Sequence, residues 1–327
     1  MRLVEFDIAK AICIVLVVIG HYIPDQSPEW YVGVHDVIYS FHMPLFMFAS
    51  GYIYNTTRKD GAYGTFLWKK VKRLMVPYIV TSFIVITIKL LTQGNAYVQN
   101  PVTPKAYLQV LWSPVAGYFL WFIWALWWMF AVAPLFKTKG SRLALLGIAI
   151  LLHYVPIALP DVFCLSEFKR MLMYFALGMT CMDYRELITF NRWRWTGVAV
   201  FISANCLRYS GIANGGGYFV SLILPLSGIV MIMQLSSWLQ TKVQSQHLGW
   251  LMQLSASSYI IYLLHTTFEG FAKTVVRKVP LLADGSNDVM FAVGALVVIT
   301  CGVVVPVLLH KYVLVRNKYL KIMFGLK

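Results

Sequence analysis

Long apolar runs recur along this chain of 327 residues, and short polar stretches separate them. A helix that crosses a bilayer needs about 20 apolar residues. On that criterion the sequence predicts ten spans: 8–23, 33–54, 74–92, 117–136, 143–159, 168–183, 196–212, 218–239, 256–275 and 289–311. The sixth is short, and the seventh carries Asn205 and Arg208. No internal repeat or long linker interrupts them. The chain therefore reads as all-α integral membrane, about ten transmembrane helices in a single transmembrane domain over 1–327, with no soluble appended domain. The stretch Asn214 to Gly217 lacks the Lys-Ser/Thr of a phosphate loop and reads as an outer turn between spans seven and eight.

Composition agrees with this reading. The chain is 59% hydrophobic and 13% charged, with a mean hydropathy of +0.68. A soluble protein of this size carries more charge on its surface. The opening MRLVEFDIAK holds two acids and leads to no small-residue cleavage site, so the first span is expected to be retained. The formal net charge of +15 does not imply nucleic acid as a partner, because the cations fall between apolar runs. Their distribution sets orientation. Arg58, Lys59, Lys69, Lys70, Lys72 and Arg73 cluster between spans two and three, whereas 24–32 has no Lys or Arg. One side takes 20 of the 28 basic residues, which places both termini, N and C, in the cytoplasm. Trp112, Trp121, Trp127, Trp128 and Trp195 fall near predicted span ends, as an aromatic belt does. The five cysteines are scattered without a CxxC, which gives neither a disulfide framework nor a cysteine metal site.

Ionisable groups inside spans are costly and mark function. Lys10 and His21 lie eleven residues apart, almost a whole number of turns, so they share a helix face about 16 Å apart along the axis. Asp7, three before Lys10, can pair with it on that face. These positions fit a site that works across the bilayer. His42 falls inside the second span, in FHMPLF, where Pro44 would loosen the helix. A histidine bridging two helices is its simplest role. The run KKVKRLMVPY, with Lys69, Lys70 and Arg73, serves topology and anionic lipid attraction, or clamps phosphates at the inner mouth. Late in the chain, His265 and Glu269 are four apart on one face, either a structural pair or a hydrogen-bonding wall for a polar substrate. They supply too few ligands for a metal site, and none is expected. His35, His153, His247 and His310 stand alone in sequence and read as structural.

These residues resemble the acyltransferase 3 family of bacterial integral-membrane O-acyltransferases. The likeness runs over most of the chain and is strongest in 1–80. It rests on Asp7, Lys10 and His21 in FDIAKAICIVLVVIGH, on FHMPLFMFASGY (Phe41 to Tyr52), on KVKR ahead of Pro77-Tyr78, and on YLLH (Tyr262 to His265). The family commonly has arginine where this chain has Lys10 and Lys70; a point-charge role transfers to lysine, but a bidentate one does not. The resemblance implies an enzyme of the bacterial inner membrane. Its co-substrate would be acetyl-CoA or another acyl-CoA bound from the cytoplasm, and its acceptor a hydroxyl on a glycan or glycolipid. Membrane lipid would surround it. His21 would then be the general base, with Lys10, Asp7 and His42 beside it in the catalytic set. Lys69, Lys70 and Arg73 would bind the donor, and His265 and Glu269 the acceptor. The sequence leaves the oligomeric state open.

A transporter of a polar or glycan substrate is the competing reading, but transporters of this size often carry internal repeats, and none is visible here. A non-enzymatic scaffold leaves Lys10, His21 and His42 without a role. The charge pattern makes one direct prediction: single cysteines placed in 58–73 stay dark to an impermeant reagent in intact cells, while those in 24–32 are labelled. Labelling of 58–73 from outside would overturn both the orientation and the span count.

Overall fold

The structure is a computed structural model. It describes residues 3–326 except 60, 95–97, 99, 189, 191–194, 211–216, 243–248, 280–281 and 283–286, and no side chain at 217–220 or 242. The predicted turn at 214–216 and the loop residue His247 lie outside the described residues. Every described regular element is helical. Four helical stretches among the described residues are long and apolar enough to cross a membrane: Tyr63–Thr92, Tyr118–Leu135, Ser221–Thr241 and Asp288–Arg316. The chain divides into two units, residues 1–50 with 184–307, and residues 51–183 with 308–327.

Two local features differ from the sequence reading. The run 33–54 is not one helix: α2 (Glu29–Tyr39) ends, a turn follows at Ser40 and Phe41, and α3 (His42–Thr57) begins. Pro44 accounts for the break. It has no N–H to give to the carbonyl of Ser40, and its ring crowds that carbonyl, so the first turn of a new helix accommodates it best. The basic segment 58–73 is also more ordered than a connection. It enters α4 (Tyr63–Lys70), passes through a π-helical segment (Val71–Met75), and continues into α5 (Val76–Thr92).

The first unit is built on α1 (Val4–His21) and α12 (Gly249–Val276). Ile8, Ala11, Ile14, Val17 and Val18 of α1 are buried. Close packing is joined by polar contacts in holding the pair. Here polar contacts stand at both ends. Ser255 Oγ donates to Asp7 Oδ1 at 3.0 Å, and Lys273 Nζ donates to the His21 carbonyl at 3.5 Å. Residue numbers rise in the same direction along both helices, so the two run parallel. Alongside them, α10 (Thr196–Tyr209) packs on α11 (Gly217–Lys242) through Gly197, whose N–H donates to Gln234 Oε1 at 3.1 Å. The last long helix, α13 (Asp288–Tyr312), packs Phe291 and Val298 with Tyr22 and Tyr31 in a satellite core.

The second unit holds α4, α5, α6 (Ala106–Gln109), α7 (Trp121–Val132), α8 (Lys139–Tyr154) and α9 (Leu165–Asp183). Tyr54, Phe66, Phe130 and Phe175 form its aromatic centre. Gly51 presses against α9 so closely that a Cβ would lie 2.0 Å from the Phe175 carbonyl oxygen. Arg142 grips Asp183 with two nitrogens, Nε at 2.6 Å and Nη2 at 2.8 Å, and Asn55 Nδ2 donates to the same carboxylate at 2.9 Å. The pair is buried, so removing one partner costs far more than an exposed ion pair is worth.

The unit closes with a short helix, α14 (Lys318–Met323), capped at both ends. Asn317 accepts from the amides of Tyr319 and Leu320. At the other end, Leu326 N–H donates to the Lys321 carbonyl and Gly325 N–H to the Ile322 carbonyl, the paired bonds of a Schellman motif. Gly325 has φ +63°, and a Cβ on it would fall 2.6 Å from the Arg73 carbonyl oxygen. Gly325→Ala should therefore lower thermal stability by at least the left-handed cost of about 1–2 kcal/mol. Thermal unfolding of the purified variant in detergent checks this. An unchanged midpoint would mean that the docked end contributes nothing.

Candidate active site

The α1–α12 pair gathers most of the polar side chains singled out in sequence. At its N-terminal end Lys10 Nζ lies 2.8 Å from Asp7 Oδ1, and Ser255 joins the pair through Asp7. At its other end His21 meets His265, with ring centroids 5.0 Å apart. On α1 the two contact points, Asp7 and His21, are fourteen residues apart, and their partners on α12, Ser255 and His265, are ten apart, so one seam carries both polar ends.

His265 and His42 have their protons placed by their surroundings. His265 Nδ1 lies 2.9 Å from the carbonyls of both Ile261 and Tyr262, and His42 Nδ1 lies 2.8 Å from the carbonyl of Ile38. A carbonyl only accepts, so Nδ1 carries the hydrogen in each. In the neutral ring Nε2 is then the basic nitrogen. Both side chains are buried. Glu269, one turn beyond His265, is also buried; its Oε1 has no hydrogen-bond partner among the described residues, and its Oε2 is 4.0 Å from Lys273 Nζ. Space for that carboxylate comes from α13, where a Cβ on Gly302 would sit 2.9 Å from Glu269 Cγ and 3.1 Å from its Oε1.

Three residues that sequence reasoning passed over belong to this cluster. Lys273 continues the spacing of His265 and Glu269 by one more turn, and extending that i, i+4 series finds it. Its Nζ reaches the His21 carbonyl and lies 5.2 Å from the centroid of the Tyr22 ring. His35 and Tyr39 are four apart on α2, and their rings stack at 4.1 Å. Tyr39 also meets His42 at 4.7 Å and reaches toward His21, its Oη 3.5 Å from Nδ1. His35, read as structural from its isolation in sequence, is thus one contact removed from His21. The signal was its spacing to Tyr39 and His42 in HDVIYSFH.

The basic residues Lys69, Lys70 and Arg73 belong to the second unit, at the junction of α4 and the π-helical segment. Lys70 Nζ stands 3.4 Å from the Phe130 centroid and 5.3 Å from that of Phe66, a cation–π arrangement that fixes its position. Lys69, Lys72 and Arg73 are exposed. Short π-helical segments recur at functional sites. Among the described residues no three His, Cys, Asp or Glu side chains converge as metal ligands do. Cys164 precedes α9, and burial, aided by Glu167 and Asp161, pushes its thiol up to about 12, which keeps it from serving as a thiolate nucleophile at neutral pH.

Comparison with known proteins agrees with these motifs. A family profile described as "Acyltransferase domain" matches residues 3–311. The nodulation protein NolL of Sinorhizobium fredii (strain NBRC 101917 / NGR234) is 27% identical over 210 residues, 59% of this chain and 55% of that one. NolL of Mesorhizobium japonicum (strain LMG 29417 / CECT 9101 / MAFF 303099) is 31% identical over 166 residues, 48% of this chain and 43% of that one. The chain spans about half the length of these curated relatives. No solved structure matches it. With the profile running from the first turn of α1 nearly to the end of α13, this apolar, all-helical membrane chain belongs to the acyltransferase 3 family.

Proposed function

We propose that this protein is a multi-pass O-acyltransferase of the bacterial inner membrane, moving an acyl group, acetyl by preference, from cytoplasmic acyl-CoA to a hydroxyl of a glycan or glycolipid. The observation that carries the reading is the meeting of His21 with His265 and its neighbour Glu269 at one end of a seam whose other end holds Lys10 and Asp7. Acyl transfer to an alcohol needs a base that titrates near neutrality, and histidine suits that step.

In the reaction, His21 takes the acceptor's hydroxyl proton as the oxygen attacks the thioester carbonyl. The new C–O bond forms, the C–S bond breaks, and the imidazolium returns the proton to the departing thiolate. Lys10 lies about 16 Å down the same helix face, too far to touch a thioester reacting at His21. Its charge, held by Asp7, instead serves the donor's length. Lys69, Lys70 and Arg73 hold the donor's phosphates, with Lys70 acting as a point charge steadied by Phe130. His265 and Glu269 give the acceptor hydrogen-bond partners, and His42 closes the histidine cluster. Ten spans with cytoplasmic termini suit this scheme. The parallel course of α1 and α12 supports it, since two spans that run the same way are separated by an odd number of crossings.

His21→Ala should still insert and bind acyl-CoA, yet lose transfer by roughly 10²–10⁴-fold. Single-turnover transfer from radiolabelled acetyl-CoA, with a parallel donor-binding assay, measures both. Near-normal turnover would move the base to His42 or His265. Glu269→Gln keeps the side chain's size but removes its charge. It should raise the KM for acceptor while donor affinity stays unchanged, and normal acceptor kinetics would assign the residue to helix packing.

A further inference from the structure

Each of the three histidines around the seam has a neighbour at its Nδ1. His42 and His265 are each locked by a backbone carbonyl on Nδ1. His21 is the last residue of α1, and the hydroxyl of Tyr39 lies 3.5 Å from its Nδ1. Active-site hydrogen bonds are often this long without substrate and tighten when it binds.

Tyr39 is placed for this role from three sides. His35 stacks on its ring at 4.1 Å with the planes 27° apart, and His42 touches it at 4.7 Å. The third side is the backbone of α1 itself. Gly20 leaves the space the ring occupies, because a Cβ there would lie 2.7 Å from Tyr39 Cε2. The Gly-His pair that ends α1 therefore has a physical reason: the glycine admits the tyrosine that reaches the histidine. Core packing does not explain the ring, since Tyr39 is 42% exposed.

We infer that Tyr39 is a positioning residue: its phenol oxygen accepts the Nδ1–H of His21 and leaves Nε2 as the nitrogen that takes the acceptor's proton. The inference rests on the reading of His21 as base. A wrong tautomer puts the hydrogen where the lone pair is needed, and that failure appears in turnover, not in binding.

The test is a double-mutant cycle with Tyr39→Phe and Gly20→Ala in the full-length protein, following transfer from acetyl-CoA. Tyr39→Phe keeps the ring and removes only the hydroxyl. It should lower kcat by about 10–100-fold, as loss of a group that orients a functional histidine does, with both KM values within about two-fold. Gly20→Ala pushes the same ring away and should also lower kcat. Added to Tyr39→Phe, it should cost less than about two-fold more, because the contact it disturbs is already gone. Unchanged kcat in Tyr39→Phe overturns the inference, as does a rise in KM alone or full additivity of the two changes. If His21→Ala is inactive while Tyr39→Phe is normal, the positioning role fails and the base stands. If His21→Ala turns over normally, the base reading fails and this inference falls with it.

Discussion

A buried polar group must find its partner within the protein, and that constraint shapes the α1–α12 seam. His265 and Glu269 are buried, Asp7 and Lys10 are half-buried, and an unpaired polar group in such a place is costly. Turned toward each other, the two helices join Asp7 with Ser255 at one end and the His21 carbonyl with Lys273 at the other. These contacts fix rotation and register together. A slip of one residue would swing the polar face by about 100° and separate every pair. The groups proposed for chemistry are thus the groups that align the helices.

The phase of α1 was legible in sequence because it depends only on helical periodicity and on two ionisable residues in an apolar run. The His265–Glu269 face was legible for the same reason, although Lys273 was missed where the series went on one turn longer. The seam itself was not legible, since pairing α1 with α12 joins residues some 250 positions apart. His35 shows the limit most plainly. In sequence it is a lone polar residue near the start of the predicted run 33–54, and its value comes from the ring of Tyr39, which it stacks on within α2 and which meets His42 across the break. Pro44 carried the information for that break. The unbroken apolar pattern around it argued for one long helix, and the local geometry of proline won.

The second unit answers the same constraint with different means. Among its charged groups, Arg142 and Asp183 pair in a buried clamp, and Lys70 lies over the face of Phe130. The basic stretch was recognisable from composition, but its helical path was not, because charge density alone reads as a connection. Continuity with the apolar α5 extends the helix backward through the cluster and gives the lysines and Arg73 fixed directions.

The π-helical segment at Val71–Met75 has a further consequence. Each π turn holds one residue more than the hydrogen-bond ring of an α-helix, so the segment acts as an inserted residue absorbed without breaking the rod. Removing one residue there would let the rod become regular with little rotation of α4 relative to α5, because five π residues turn about as far as four α residues. The seat of Lys70 against Phe130 would survive such a deletion, and what would be lost is the local change in hydrogen-bond spacing beside it. The extra residue therefore shapes the backbone between α4 and α5, while the lysines take their directions from the helices on either side.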